Sequence, residues 1–226
     1  MQAYTELYRP IRSTVKRLGG DDLDAFWELS EEKRHRILSA GYKVFGMHSY
    51  AKASVSDIAK EAGIAKSMVF HYFRTKREFY FFLMDHCYEM FIEVFADLKI
   101  TEISDFFERI ETFSRAEMRI LRLYPNLFKY IMRFYYERDP EVLDGVLEVI
   151  SKSLSAGMTM TLDGVDRSKF KVDVELEQLA KMIRWMGEGI SNQFLEFDDQ
   201  ALDAIEMEMQ KSANLLRLAL YKEGCI

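Results

Sequence analysis

A chain of 226 residues that is 49% hydrophobic and 30% charged can bury a sizeable core, which excludes a protein disordered throughout. The longest wholly apolar run, 79–84, is too short to span a membrane, and two cysteines supply neither a disulfide framework nor a zinc pattern, so we expect a cytoplasmic protein. The net charge of −6 is unevenly divided along the chain. Residues 30–77 carry ten basic and four acidic side chains, whereas residues 78–226 carry seventeen basic and twenty-eight acidic ones. This division is typical of a DNA-binding head on a non-binding body.

Residues 1–29 form an extension before the basic segment. Its first 18 positions contain one acidic residue, Glu6, and four basic residues, Arg9, Arg12, Lys16 and Arg17. The extension is therefore either a basic arm that enters a minor groove or a leader without a role in DNA binding, and the leader is the preferred interpretation.

The sequence of residues 30–77 predicts three short helices, and most of their ends are marked by capping or turn residues. Ser30 caps the first, which carries acids in its first turn and should end near Met47. Ser54 begins the second and Gly63 ends it, and the third begins near Ala65. Its periodicity directs Val69, Phe70 and Phe73 into the core, and leaves the remaining side chains outside: Lys66, Ser67, Met68, His71 and Tyr72.

A capped short helix, a turn with glycine and a second short helix with a polar outer face form a helix-turn-helix, whose second helix reads the major groove. Residues 54–73 and Lys76 resemble the signature of TetR/AcrR-family transcriptional regulators. The resemblance implies an all-α protein with a three-helix DNA-binding head (30–77) and a six-helix ligand-binding and dimerisation body (78–226). The sequence departs from the family pattern at Ser49, where a glycine is usual and a positive φ would be costly, and at Ala65 and Ser67.

The head supplies the candidate DNA contacts. Lys66, Ser67 and Met68 begin the third helix and are placed to meet base edges, Met68 through an apolar contact only. The resemblance implies that Tyr72 and Lys76 contact phosphates. The full predicted set is Ser54, Ser56, Lys66, Ser67, Met68, His71, Tyr72 and Lys76.

Apolar periodicity predicts six body helices, at about 76–98, 103–123, 126–137, 140–161, 174–197 and 199–221. The resemblance implies that the last two pair with their copies in a homodimer. An aromatic and methionine-rich set suits an apolar effector, although core packing is the commoner role of such residues: Tyr130, Phe134, Tyr135, Met182, Trp185 and Met186.

The function predicted from these features is that of a regulator, a repressor released from a near-palindromic operator by a mostly apolar small molecule. Two alternatives are a helical lipid or small-molecule carrier and a helical metalloenzyme. For the second, Glu32-x-x-His35 lacks the second such pair that a di-iron site needs, and His86 beside Cys87 is a weak metal pair. We therefore expect no enzyme activity, no cofactor and no metal site.

Overall fold

The computed structural model describes residues 24–194 and 196–225, and the basic residues of the N-terminal extension lie outside them. The described chain is helical, and its one β-type contact is a bridge between Phe170 and Tyr221. The helices are α1 (Asp24–Trp27), α2 (Glu31–Met47), α3 (Val55–Ala62), α4 (Lys66–Phe73), α5 (Lys76–Asp97), α6 (Phe106–Leu123), α7 (Leu127–Tyr135), α8 (Leu143–Leu162), α9 (Leu176–Ser191) and α10 (Asp199–Leu220). Short 3₁₀ turns occupy Ile100–Glu102, Arg167–Lys169 and Glu223–Cys225.

The predicted helix ends of the head are confirmed. The sequence could place them because each end depends on capping residues next to it. Ser30 Oγ accepts the Lys33 N–H at 3.4 Å at the start of α2, which ends at Met47. Ser49 does not adopt the positive φ that would be costly there: among the described non-glycine residues only Arg74 and Lys99 have positive φ. Arg74, with φ of 54°, forms the sharp turn between α4 and α5.

The chain forms two compact units that cut across the predicted head and body. One contains the described residues up to Ile92 together with Tyr124–Ser153; the other contains Glu93–Leu123 and the described residues from Leu154 onward. Helices α7 and the start of α8, both predicted as body, thus share a unit with the helix-turn-helix.

Two glycines of α2 bring three helices of the first unit into close contact. A Cβ on Gly41 would lie 2.8 Å from the side chains of Leu83 and Phe79 on α5. A Cβ on Gly46 would lie 3.0 Å from the backbone nitrogen of Tyr130 on α7. Because neither position has room for a side chain, α2 packs closely against α5 at one point and against α7 at another.

The second unit packs α6, α9 and α10 around Phe106, Phe107, Leu179, Ile183 and Tyr221, all of them buried. Arg109 is 1% exposed, and its guanidinium donates to carbonyl oxygens: Nε to Ile103 at 2.7 Å and Nη1 to Asp163 at 2.6 Å. Within the described chain, no helix combines the length and the apolar character that crossing a membrane requires.

Candidate nucleic-acid interface

The helix-turn-helix is built from α3, a glycine turn and α4. Ser54 Oγ accepts the Ser56 N–H at 3.1 Å and caps α3. Gly63 takes φ of 67° and ψ of 38°, the left-handed conformation that glycine adopts without steric cost. The Ile64 N–H donates to the Ala59 carbonyl at 3.0 Å and closes the turn. At the start of α4, Ala65 makes no side-chain capping bond, as its methyl group requires.

The outer face of α4 carries most of the predicted DNA contacts. Lys66, Ser67 and His71 are exposed, Met68 is half-buried, and Val69 and Phe73 face the core. On α3, Ser56 is exposed and the capping Ser54 is half-buried. A lysine, a hydroxyl and an imidazole are therefore exposed on α4 within a basic segment, and this chemistry suits phosphates and base edges.

Two aromatic residues of α4 have exchanged their predicted positions. Phe70, predicted as core, is 39% exposed, and the Lys66 ammonium lies 6.0 Å from its ring centroid. Tyr72, predicted to point away from the core, is 3% exposed. The cause is Phe26 of α1, which is fully buried and packs its ring edge-on against Tyr72 at 6.2 Å between centroids. The phosphate contact of Tyr72 stays a prediction.

Lys76 is already engaged within the protein. Its Nζ donates to the Tyr50 carbonyl at 2.9 Å and lies 4.1 Å from the centroid of the Tyr50 ring. The side chain is half-buried. The sequence could not show this contact, because the two residues are 26 positions apart, and the predicted phosphate contact of Lys76 stays a prediction.

The six residues predicted to line an effector pocket fall into both units. Tyr130 and Phe134 are fully buried among aromatic rings: the Tyr130 hydroxyl donates to the Tyr80 carbonyl at 2.6 Å, and Phe134 stacks on Tyr80 at 5.2 Å. The pair belongs to the packed core of the first unit. Tyr135 on the same helix is half-buried.

The predicted pocket residues on α9 are more open. Met182 and Trp185 are each 51% exposed and Met186 is half-buried, so the first two are not enclosed as a pocket requires. A cleft of about 260 Å³ in the same unit lies along residues 167–176 and Lys222, and none of the six predicted residues lines it.

The histidines considered for a metal site pack against aromatic rings. His86 Nδ1 lies 2.9 Å from the Tyr42 hydroxyl, and burial, with a smaller contribution from His35, lowers the pKa of His86 to about 4. The His35 ring stacks on Tyr124 at 4.7 Å. Cys87 is buried, and burial raises the pKa of its thiol. Among the described residues, no three metal-binding side chains come together.

A capped helix, a left-handed glycine and an exposed polar helix within a basic segment form a helix-turn-helix, a motif whose second helix can enter the major groove of DNA. Residues 37–81 match the profile of bacterial regulatory proteins of the tetR family. The match covers the helix-turn-helix with the adjoining parts of α2 and α5.

The similarity to known proteins is short in sequence and longer in structure. The HTH-type transcriptional regulator HbdR of Aromatoleum sp. (strain CIB) is 35% identical over 54 residues, which are 24% of this chain and 24% of HbdR. A TetR family transcriptional regulator from Chloroflexus aurantiacus J-10-FL has a similar structure, with a TM-score of 0.67 and 18% identity over 90% of this chain and 100% of that one. The fatty acid degradation regulator FadR from Bacillus halodurans gives a TM-score of 0.56 and 16% identity over 81% and 95%. The fold is thus similar to that of a TetR-family regulator over 90% of this chain, whereas the match to the curated relative spans about a quarter of that protein.

Proposed function

We propose that this chain is a transcriptional regulator that binds a near-palindromic operator as a homodimer and is released from it by a mostly apolar small molecule. The observation that carries the proposal is the outer face of α4, where Lys66, Ser67 and His71 are exposed on a helix positioned by Gly63. The surrounding segment, 30–77, has a net charge of +6, so it attracts DNA although the chain as a whole is acidic.

Selection of bound duplexes from a random pool tests DNA binding. Affinity for the selected duplex should fall steeply with salt, because each neutralised phosphate contributes about −0.9 to the slope of log K against log salt. A slope near zero, or a pool from which no duplex is enriched, contradicts DNA binding.

Single substitutions separate base contacts from phosphate contacts. Lys66→Ala should weaken binding and relax the preference at one base pair, whereas Arg119→Ala, which removes an exposed basic residue from α6, should change neither. If Lys66→Ala weakened all sequences alike, Lys66 would be a phosphate contact and the base reader would lie elsewhere on α4.

The proposed dimer uses exposed apolar residues of α9 and α10. Met182 and Trp185 share the outer face of α9, and Met207, Leu215 and Leu218 are 53–69% exposed on α10. Large apolar side chains in such numbers on neighbouring helices mark an interface, and pairing with a second copy would bury them in a four-helix bundle.

Sedimentation tests the dimer. The wild type should have twice the chain mass of 26.6 kDa, and Trp185→Glu should shift it toward the monomer. Met47→Glu is the control, because Met47 is 55% exposed at the end of α2 in the other unit. A wild-type monomer at micromolar concentration contradicts the proposed dimer.

The effector is proposed on composition and on the relatives. One similar structure is that of a fatty acid degradation regulator, so a long-chain fatty acid is the first probe for an apolar effector. Palmitate should lower the affinity for the selected duplex about 5- to 150-fold, the usual range of coupling between two sites. If neither palmitate nor a panel of other apolar compounds changes DNA affinity, release by an apolar effector is wrong.

A further inference from the structure

Tyr50 lies in the turn between α2 and α3, and it binds outside that turn through both its backbone and its hydroxyl. It is 1% exposed. Its N–H donates to Glu137 Oε2 at 2.6 Å, and its hydroxyl donates to Glu141 Oε1 at 2.6 Å. Its carbonyl accepts the Lys76 ammonium at 2.9 Å. We call Tyr50, Lys76, Glu137 and Glu141 the Tyr50 clamp.

Glu137 organises the loop between α7 and α8 with the same carboxylate that binds Tyr50. It is 5% exposed, and its Oε1 accepts the N–H groups of Arg138 at 2.8 Å and Asp139 at 2.9 Å. A buried carboxylate with three backbone donors is satisfied only while those donors stay in place. The loop and the Tyr50 backbone are therefore held by one side chain.

The Tyr50 ring extends the contact into the aromatic core. It stands edge-on to Tyr80 at 5.2 Å between centroids, and Tyr80 stacks on Phe134 of α7. On the other side of the clamp, Arg77 Nε donates to the Glu141 carbonyl at 3.3 Å. The loop is thus bound both to the turn before α3 and to the first turn of α5.

We propose that the Tyr50 clamp positions the helix-turn-helix on the α7–α8 loop, so that a displacement of this loop is passed directly to α3. The proposal rests on the DNA-binding function proposed above. The link is short: the Lys52 and Ala53 N–H groups both donate to the Ser49 carbonyl, and Ser54 caps α3 immediately afterwards. A tight turn held at Tyr50 has little slack to absorb a movement before α3 begins.

Hydrogen exchange with and without the selected duplex tests the clamp through its reciprocity. In the wild type, DNA should slow exchange in peptides 54–62 and 136–142 together, although the loop carries no predicted DNA contact. Glu137→Gln replaces one of the two accepting oxygens by an amide nitrogen, so it should abolish the DNA-dependent protection of 136–142 and weaken DNA binding about tenfold. Tyr50→Phe, which removes only the hydroxyl bond to Glu141, should give a partial loss of both effects.

Glu148→Gln is the matched control, since it changes an α8 acid whose amine partner is Lys152, one turn away on the same helix. It should leave protection and affinity unchanged. A merely structural role of Glu137 predicts a lower thermal midpoint while DNA still protects 136–142, and that result overturns the proposal.

A measurement without DNA separates failure of the clamp from failure of the proposed function. If no duplex binds the wild type, DNA binding is wrong, and exchange in the free protein then decides on the clamp. Tyr50→Phe should speed exchange in both 54–62 and 136–142. Faster exchange confined to 48–53 would show that the loop and α3 are not linked through Tyr50.

Discussion

Replacing Phe26 with alanine should destabilise the DNA-binding head by about 3–5 kcal/mol, the usual cost of removing a buried phenyl ring from a core. Phe26 is fully buried, and its centroid lies 5.2 Å from that of Phe73 on α4 and 5.3 Å from that of Phe82 on α5. These contacts join α1 to the recognition helix and to the helix that follows it. Since a typical domain has only about 5–15 kcal/mol of stability, the loss is a large fraction of the total.

Urea unfolding followed by Trp27 fluorescence measures this loss, because Trp27 lies next to Phe26 at 5.2 Å between ring centroids. A Trp185→Tyr background removes the other of the two tryptophans. With a urea dependence of about 2–3 kcal/mol per molar, the midpoint should fall by about 1–2.5 M. Phe70→Ala is the control: the same ring is deleted from an exposed position on α4, and the cost should stay below about 1 kcal/mol. Equal losses in the two variants would refute a structural role for α1 in the head.

Four further substitutions test local features. Gly63→Ala should lower the free energy of unfolding by about 1 kcal/mol, because φ is 67° at Gly63. Gly157→Ala, within α8 and with open space around the new Cβ, should raise the free energy of unfolding by about 0.5–1 kcal/mol. Thermal unfolding of both variants tests these values. Gly46→Ala should lower the thermal midpoint by forcing α2 away from α7, and an unchanged midpoint would contradict the close approach. At Asp105, burial raises the carboxyl pKa, but the bonds from the Glu108 N–H and Lys169 outweigh it and hold the pKa below its usual value. The carboxylate therefore stabilises the fold above its unfolded pKa and loses this effect as the pH falls through its folded pKa. Asp105→Asn should be less stable than the wild type at pH 7, and the difference should shrink in acid; a pH-independent difference would assign the effect to packing.

The sequence predicted what depends on neighbouring residues. Ser30, Ser54 and Gly63 act within four positions of themselves, so their types and spacing were enough to place the ends of α2 and α3. The burial of Tyr72 depends on Phe26, 46 positions earlier in a segment with no periodicity of its own. Periodicity alone could not choose between Phe70 and Tyr72 as the inward residue.

The candidate site also combines features that helical spacing predicts with contacts that only the tertiary fold creates. The exposed face of Lys66, Ser67 and His71 followed from helical spacing. The engagement of Lys76 with Tyr50, and of Tyr50 with Glu137 87 positions away, required the tertiary fold. An aromatic stripe on α7 has the same sequence pattern whether it lines a pocket or fills a core. Tyr130 and Phe134 are buried and contact Tyr80, and their role in an effector pocket stays a prediction.

The packing of α2 through its two glycines limits how this chain can be recombined with others of the same fold. A chimera that joined residues 30–77 to a foreign body would remove the surfaces of α5 and α7 that Gly41 and Gly46 approach, and would leave α2 with two indentations facing unmatched side chains. A transplant that also carries α5 up to Ile92, α7 and the loop up to Leu143 keeps both approaches and all four residues of the Tyr50 clamp. The unit that can be exchanged between regulators is therefore discontinuous in sequence, and a single crossover point after the recognition helix cannot deliver it.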